Sequence, residues 1–153
     1  MIRKAKIEDV EEIAKLQKEY MQYHMAQDPY FEFKKNISKL WKDYAEQIIR
    51  DPKQLIVVVE EDEKIVAYMT ARIVEKAPIY KIDKVGQIGD AYVSLNYRKR
   101  GLFTQLLEDI KKWFRSKKLK YIEHPVSANN PLGRQVWKKK GFEEYMIWVK
   151  RKI

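Results

Sequence analysis

Three strand-type segments follow one another between Leu55 and Leu95, and a helix-period stripe comes next, so the chain must build a sheet whose pairing changes direction. Leu55 to Glu60 is a β-branched run, Glu61-Asp62-Glu63-Lys64 is polar enough for a hairpin turn, and Ile65 to Glu75 returns antiparallel to the first. A loop over Lys76 to Lys84 leads into Val85 to Leu95, where Ile88, Asp90, Tyr92 and Ser94 alternate with Gly89, Ala91, Val93 and Leu95. Leu102, Phe103, Leu106, Leu107, Ile110, Trp113 and Phe114 then mark a helix with one apolar face. Leu119 to Val126 reads as a fifth strand, a helix starts at or near Asn130 and runs through Lys140, and Phe142 to Lys150 reads as a last strand. Ahead of this block, Met1 to Ile7 suits a short strand, and the spacing from Val10 to Met25 predicts a helix that Asp28-Pro29 ends. Ile37 to Ile49 makes a second helix, closed by Asp51-Pro52. A helical crossover gives a parallel neighbour and a hairpin an antiparallel one, so a mixed α/β sheet is expected. With 153 residues and no linker of dividing length, residues 1–153 are expected to form one domain.

The connection from the fourth strand to its helix carries the most chemistry. Val93-Ser94-Leu95-Asn96-Tyr97-Arg98-Lys99-Arg100-Gly101-Leu102-Phe103-Thr104 is a basic, glycine-containing turn at a helix N-terminus, where unpaired N–H groups and the helix dipole attract an anion. Gly101 lets a phosphate approach the backbone, Arg98, Lys99 and Arg100 offer charge-assisted contacts, and Thr104 adds a hydroxyl. The turn lacks the Walker lysine pattern and the dinucleotide fingerprint. The net charge of +10 is concentrated on this side, since residues 98–153 carry 16 basic against 5 acidic side chains. Such a face suits a phosphorylated cofactor, a nucleic acid or an anionic membrane surface. The absence of Cys excludes disulfides, thiolate metal sites and thiol nucleophiles, and two distant His make a poor metal set, so no metal is expected. No apolar run approaches the roughly 20 residues of a membrane span, and the charged start over Met1 to Lys6 is unlike a targeting segment, which points to the cytoplasm.

A second constellation, Asn130, Gly133, Trp137 and Gly141-Phe142, has a glycine placed to cap a helix before the chain extends again. Together, Tyr92 to Leu107 and Asn130 to Phe142 resemble the two motifs of the GNAT N-acetyltransferases: the acetyl-CoA-binding segment Gln/Arg-x-x-Gly-x-Gly/Ala and the later Asn, Ala, Tyr, Gly-Phe helix. The element order matches that family over nearly the whole chain. The resemblance implies a mostly antiparallel sheet flanked by about four helices, with the fourth and fifth strands splayed to admit the pantetheine arm. It implies that Tyr92 and Val93 present main-chain groups to that arm and that Arg98, Lys99, Arg100, Gly101, Leu102 and Phe103 wrap the pyrophosphate, supported by Thr104. Asn130 would lie near the pantetheine or sulfur end. A homodimer is also expected from the resemblance.

Two residues depart from the family pattern. Phe103 replaces the motif's last Gly/Ala, and its spacing from Leu107 turns it toward the core. Trp137 stands where the family often has a tyrosine general acid, and an indole N–H cannot protonate a thiolate. Acetyl transfer to an amine needs a base, a near-attack geometry and an oxyanion donor. The Val93 N–H is the expected oxyanion donor. Asp90 is the expected base, with Glu123 and His124 in reserve, and Tyr92, Tyr97 and Tyr80 are candidate acids. Tyr20, Tyr23, Tyr30, Phe31, Trp41 and Tyr44 enrich the region that in this family shapes the acceptor site. An acetyl-CoA-dependent N-acetyltransferase acting on a small amine, polyamine or protein amine is the leading expectation. Its competitors are a catalytically silent acyl-CoA-binding domain and a basic nucleic-acid-binding module. The second of these is disfavoured because Trp113 and Phe114 lie in the apolar stripe.

Overall fold

A computed structural model describes all 153 residues. The elements are β1 (Ile2–Lys4), α1 (Val10–Gln27), α2 (Ile37–Arg50), β2 (Gln54–Glu61), β3 (Lys64–Glu75), β4 (Lys84–Val93), α3 (Leu102–Ser116), β5 (Ile122–Glu123) and α4 (Pro131–Lys139), with short 3-10 turns at Ile7–Asp9, Pro29–Phe31 and Leu95–Tyr97. The strands lie in the order β1-β2-β3-β4-β5, antiparallel up to β4 and parallel between β4 and β5. The parallel pair follows from the crossover through α3, as the sequence predicts. No helix is long and apolar enough to cross a membrane.

Helices cover both faces of the sheet. Ile56 and Val58 pack with α1 and α2 through Ile13, Ala14, Trp41, Ala45 and Ile48. Val57 and Val59 pack on the other face with Leu106, Leu107, Ile110 and Phe114 of α3 and with Trp137 of α4. A strand buried on both faces reads as a continuous apolar run, which is why β2 shows no alternation. Phe103 packs against the α3-side core, in keeping with its helical spacing.

Three expectations need correction. The alternation through Val85–Leu95 puts Ile88 and Tyr92 on one face, whereas Ile88 joins the α3-side core and Tyr92 the α1-side core. A β-bulge causes the switch: Ala91 pairs with Met69 and Ile88 with Ala71, so Gly89 and Asp90 together oppose Thr70. The fifth strand shrinks from Leu119–Val126 to Ile122–Glu123. Lys118 turns at φ 60° before it, and Pro125 after it supplies no N–H and constrains His124. The last strand over Phe142 to Lys150 does not form, because β5 is too short to template it and no main-chain hydrogen bond reaches any residue after Phe142.

Candidate active site

The bulge in β4 is built by its side chains. Asp90 N–H donates to Thr70 Oγ1 at 2.8 Å, which takes the place of a ladder bond. A Cβ on Gly89 would stand 2.6 Å from that hydroxyl, so only glycine lets Thr70 come this close. The extra residue turns Asp90 toward α1 and α2. There its carboxylate accepts hydrogen bonds from Tyr68 Oη at 3.3 Å and from the Trp41 indole. Burial pushes the Asp90 carboxyl above the usual carboxylate range, and the two donors only partly oppose this. The surrounding phenols respond in turn: burial and the nearby Asp90 raise Tyr20 and Tyr68. Tyr92 Oη donates to Glu19 at 2.9 Å, and burial with that contact pushes its phenol up to about 12. Tyr20 sits edge-on to Tyr92 at 6.1 Å and to His24 at 4.4 Å, completing an aromatic wall around the carboxylate.

Beyond Gln87 the two parallel strands part, since only Gly86 and Gln87 of β4 pair with Ile122 and Glu123. His124 Nδ1 bridges the start of the gap, 3.1 Å from the Ile88 carbonyl oxygen. Its ring lies against Trp137 at 4.0 Å, and burial lowers its pKa to about 4. Glu123 is ion-paired with Lys76 at 2.7 Å on the far side of β5. The structure therefore does not bring Glu123 to Asp90, and it binds His124 into packing. A histidine held neutral in the fold contributes stability that is present above its unfolded pKa near 6.5 and lost as pH falls toward the folded value near 4. With about 1.4 kcal/mol per unit, this is on the order of 3 kcal/mol. Thermal melts between pH 7 and pH 4 are expected to show a steep loss of stability for the wild type, and a shallower one for His124→Gln.

Past the gap the chain enters the basic turn. Ser94 N–H points to the Val66 carbonyl of β3 at 2.9 Å, so by alternation the Val93 groups face the open side. There the Val93 carbonyl accepts from Arg98 Nε at 3.0 Å, and the guanidinium lies 5.5 Å from the Tyr92 ring centre. Arg100 bends the other way, onto the Asn96 carbonyl and toward Glu61. Both arginines thus brace the turn. What the turn presents is main chain: no main-chain acceptor pairs with the N–H groups from Lys99 to Thr104. Lys99 at φ 62° and Gly101 at φ 77° curl these groups inward at the start of α3. Thr104 Oγ1 accepts from Lys140 Nζ at 2.7 Å, tying α3 to the end of α4.

Asn130 caps α4, with its Oδ1 accepting from Gly133 N–H at 2.9 Å and from Tyr23 Oη at 3.1 Å. The second bond reaches from α1 across the mouth of the gap. Trp137 is wedged between Phe103 at 5.1 Å, Phe142 at 4.8 Å and His124. Tyr97 stacks under Arg100, and Tyr80 stands exposed in the β3–β4 loop. Sequence reasoning missed Tyr68, Thr70 and Glu19 as partners in this site. Tyr68 and Thr70 sit within an otherwise apolar strand, and only the register with β4 brings them to Asp90.

β4 and the turn after it thus bring a raised carboxyl on the α1 and α2 side, an open strand edge and a helix N-terminus rich in free N–H groups together within one stretch of chain. No curated protein matches the sequence significantly. Among solved structures, the tetramutant of BH1408 protein from Bacillus halodurans superposes with a TM-score of 0.88 at 22% identity, over 100% of this chain and 99% of that one. A predicted acetyltransferase with acetyl-CoA from Clostridium acetobutylicum gives 0.81 at 23%, over 99% and 95%. The aminoglycoside antibiotic 6'-N-acetyltransferase AAC(6')-IG from Acinetobacter haemolyticus gives 0.78 at 16%, over 100% and 99%. At these identities the likeness is one of fold. The model of the Acetyltransferase (GNAT) family matches residues 11–142, most of the chain, and the protein therefore belongs to the GNAT acetyltransferase family.

Proposed function

We propose that residues 1–153 act as one domain that transfers the acetyl group of acetyl-CoA directly to the nitrogen of a primary amine, with both substrates bound together. Acetyl-CoA is a substrate here, and the amine is a small amine, a polyamine or a protein amine. The observation that carries the reading is the row of unpaired N–H groups from Lys99 to Thr104 at the end of an open strand edge. A pyrophosphate matches such a row in charge and in acceptor number.

In this reading Arg98, Lys99, Arg100, Gly101, Leu102 and Phe103 hold the pyrophosphate through their backbone, and the Lys140–Thr104 contact steadies the helix start. Tyr92 and Val93 line the pantetheine arm. The Arg98 side chain occupies the Val93 carbonyl, which leaves the Val93 N–H as the oxyanion donor. Asn130 orients the pantetheine end through its Nδ2 group, since its Oδ1 is engaged in the α4 cap and with Tyr23. Asp90 takes the proton of the incoming ammonium, through water if needed. Its raised pKa suits a base working near neutrality better than an ordinary carboxylate does. Of the three carboxylate and imidazole candidates, Asp90 is preferred because Glu123 is held by Lys76 and His124 by the Ile88 carbonyl. The leaving thiolate needs little help, because a thiol with a pKa of about 8.5 departs readily near neutral pH. Trp137 in place of a phenol is therefore compatible with turnover. The enzyme works as a homodimer.

Thermal unfolding with and without acetyl-CoA tests the reading, with ATP at equal ionic strength as the polyanion control. Acetyl-CoA at ~100 times its dissociation constant is expected to add about 2.7 kcal/mol to the native state while ATP adds far less. Equal shifts from both would reduce the site to a general anion collector.

A further inference from the structure

We propose that His24 of α1 is a further catalytic residue, whose imidazole takes a proton from the nitrogen that has attacked the thioester and delivers it to the departing sulfur. The proposal rests on the acetyl-transfer reading and fills a role that reading leaves without a residue. Asp90 lies on the α1 and α2 side of the sheet, whereas the thioester enters through the gap between β4 and β5. A group that serves both nitrogen and sulfur must stand between them, and contacts on two sides bracket His24 there. Toward β4, Tyr20 lies edge-on to the His24 ring at 4.4 Å and to Tyr92 at 6.1 Å, and its phenol is raised in part by the nearby Asp90 carboxylate. Toward α4, Tyr23 lies edge-on to the ring at 5.7 Å and reaches across the mouth of the gap to Asn130. His24 is also near enough to His124, at the start of the gap, to disfavour charging that ring. Phe31 borders the imidazole at 6.4 Å.

The ring is equipped to move a proton. It is half-buried, and its nitrogens make no hydrogen bond to the protein, yet neither is sealed away from a ligand. Burial holds its pKa below 6.5, so the imidazole is mostly neutral at pH 7 and able to accept. Its titratable neighbours are Tyr20 and Tyr23 on its own helix and His124 beyond the gap, while Asp28 at the end of α1 is engaged by Lys150. The other candidates are committed elsewhere. Tyr92 donates to Glu19, Tyr23 to Asn130, and His124 Nδ1 meets the Ile88 carbonyl. Trp137 has no acidic proton to give.

The protons and electron pairs balance. Asp90 removes the first proton from the ammonium, and the free amine adds to the thioester carbon, forming the C–N bond and an oxyanion at the Val93 N–H. The nitrogen is then positively charged, and His24 takes one of its protons. The oxyanion collapses, the C–S bond breaks with its electron pair on sulfur, and the imidazolium protonates that sulfur. The products are the acetylated amine and free coenzyme A thiol, His24 returns to neutral, and one proton per turnover leaves through Asp90.

The test compares the wild type with His24→Ala and His24→Gln in formation of the acetylated amine. Both variants are expected to lose about 10²-fold in kcat, the lower end of what a positioned proton-transfer group supplies, because the thiolate is already a fair leaving group. Both are expected to keep the stabilisation by acetyl-CoA. The wild-type kcat/KM profile should carry an inflection below pH 6.5 that both variants lack while they keep the limb from Asp90. Added imidazole should restore His24→Ala, which has room for it, and leave His24→Gln impaired. Near-normal turnover in His24→Gln overturns the proposal, because glutamine can hydrogen-bond but cannot carry the proton. So does a loss in His24→Ala that imidazole leaves unrepaired with the inflection intact, or a loss of acetyl-CoA binding in either variant. Turnover that Asp90→Asn impairs and His24→Ala does not would overturn this inference and leave acetyl transfer standing, whereas a wild type that acetylates no amine overturns both.

Discussion

Gly101→Trp is expected to abolish the acetyl-CoA-dependent rise in melting temperature while leaving the unliganded protein folded. Gly101 sits at φ 77°, where an L-residue is strained by roughly 1–2 kcal/mol, a small part of a domain's stability. A Cβ there meets nothing closer than Gln105 Nε2 at 4.0 Å, so the body of the protein has room for the change. The ligand does not. The indole stands over the N–H row, and relaxing the φ angle turns those groups out of line. A ~100-fold loss in affinity cuts the increment from about 2.7 to about 0.4 kcal/mol at the same ligand concentration, and a larger loss removes it. A variant that still shows the wild-type shift would remove the turn from the binding site.

Asp90→Asn is expected to lower turnover by about 10²–10⁴-fold, the usual contribution of a positioned base, with acetyl-CoA affinity unchanged. The wild-type profile of kcat/KM against pH should rise through a limb above the ordinary carboxylate range, and the variant should lack that limb. The same substitution is expected to raise the melting temperature at neutral pH. Burial raises the folded pKa of Asp90, so its contribution to stability is fully present below the unfolded value near 3.8 and lost as pH rises through the folded one. At neutral pH the wild type therefore bears a buried charge that asparagine removes, and the difference between the two proteins shrinks toward pH 4. Lower activity with higher stability is a pattern that a residue selected only for packing does not give. Full turnover with an unchanged profile would exclude Asp90 as the base.

The parts of this molecule that depend on local pattern were legible in the sequence. The β2–β3 hairpin, the α3 stripe and the turn from Arg98 to Gly101 lie within a residue or two of the expected positions, because periodicity and turn chemistry act over short stretches. The inward packing of Phe103 followed from its spacing to Leu107. The bulge was not legible. Residues 85–95 alternate without interruption, and nothing in that stretch says that Thr70 will insert its hydroxyl opposite Gly89 and Asp90. Yet the bulge decides which face Asp90 and Tyr92 join, so Asp90 was a candidate by position before its partners Tyr68 and Trp41 could be named. The last strand fails for a related reason. Tyr145 to Val149 has the composition of a strand, but a strand needs a partner edge, and β5 offers only two residues.

The central claim is acetyl transfer to an amine, and its most direct measurement is release of free coenzyme A thiol from acetyl-CoA in the presence of a panel of primary amines. Mass spectrometry of the amines identifies the product. The expected result is thiol release that depends on an added amine, yields that amine carrying one acetyl group, and is suppressed in both Gly101→Trp and Asp90→Asn. Tight binding of acetyl-CoA with no amine-dependent release across small amines, polyamines and protein amines would contradict it and leave a domain that binds the thioester without using it.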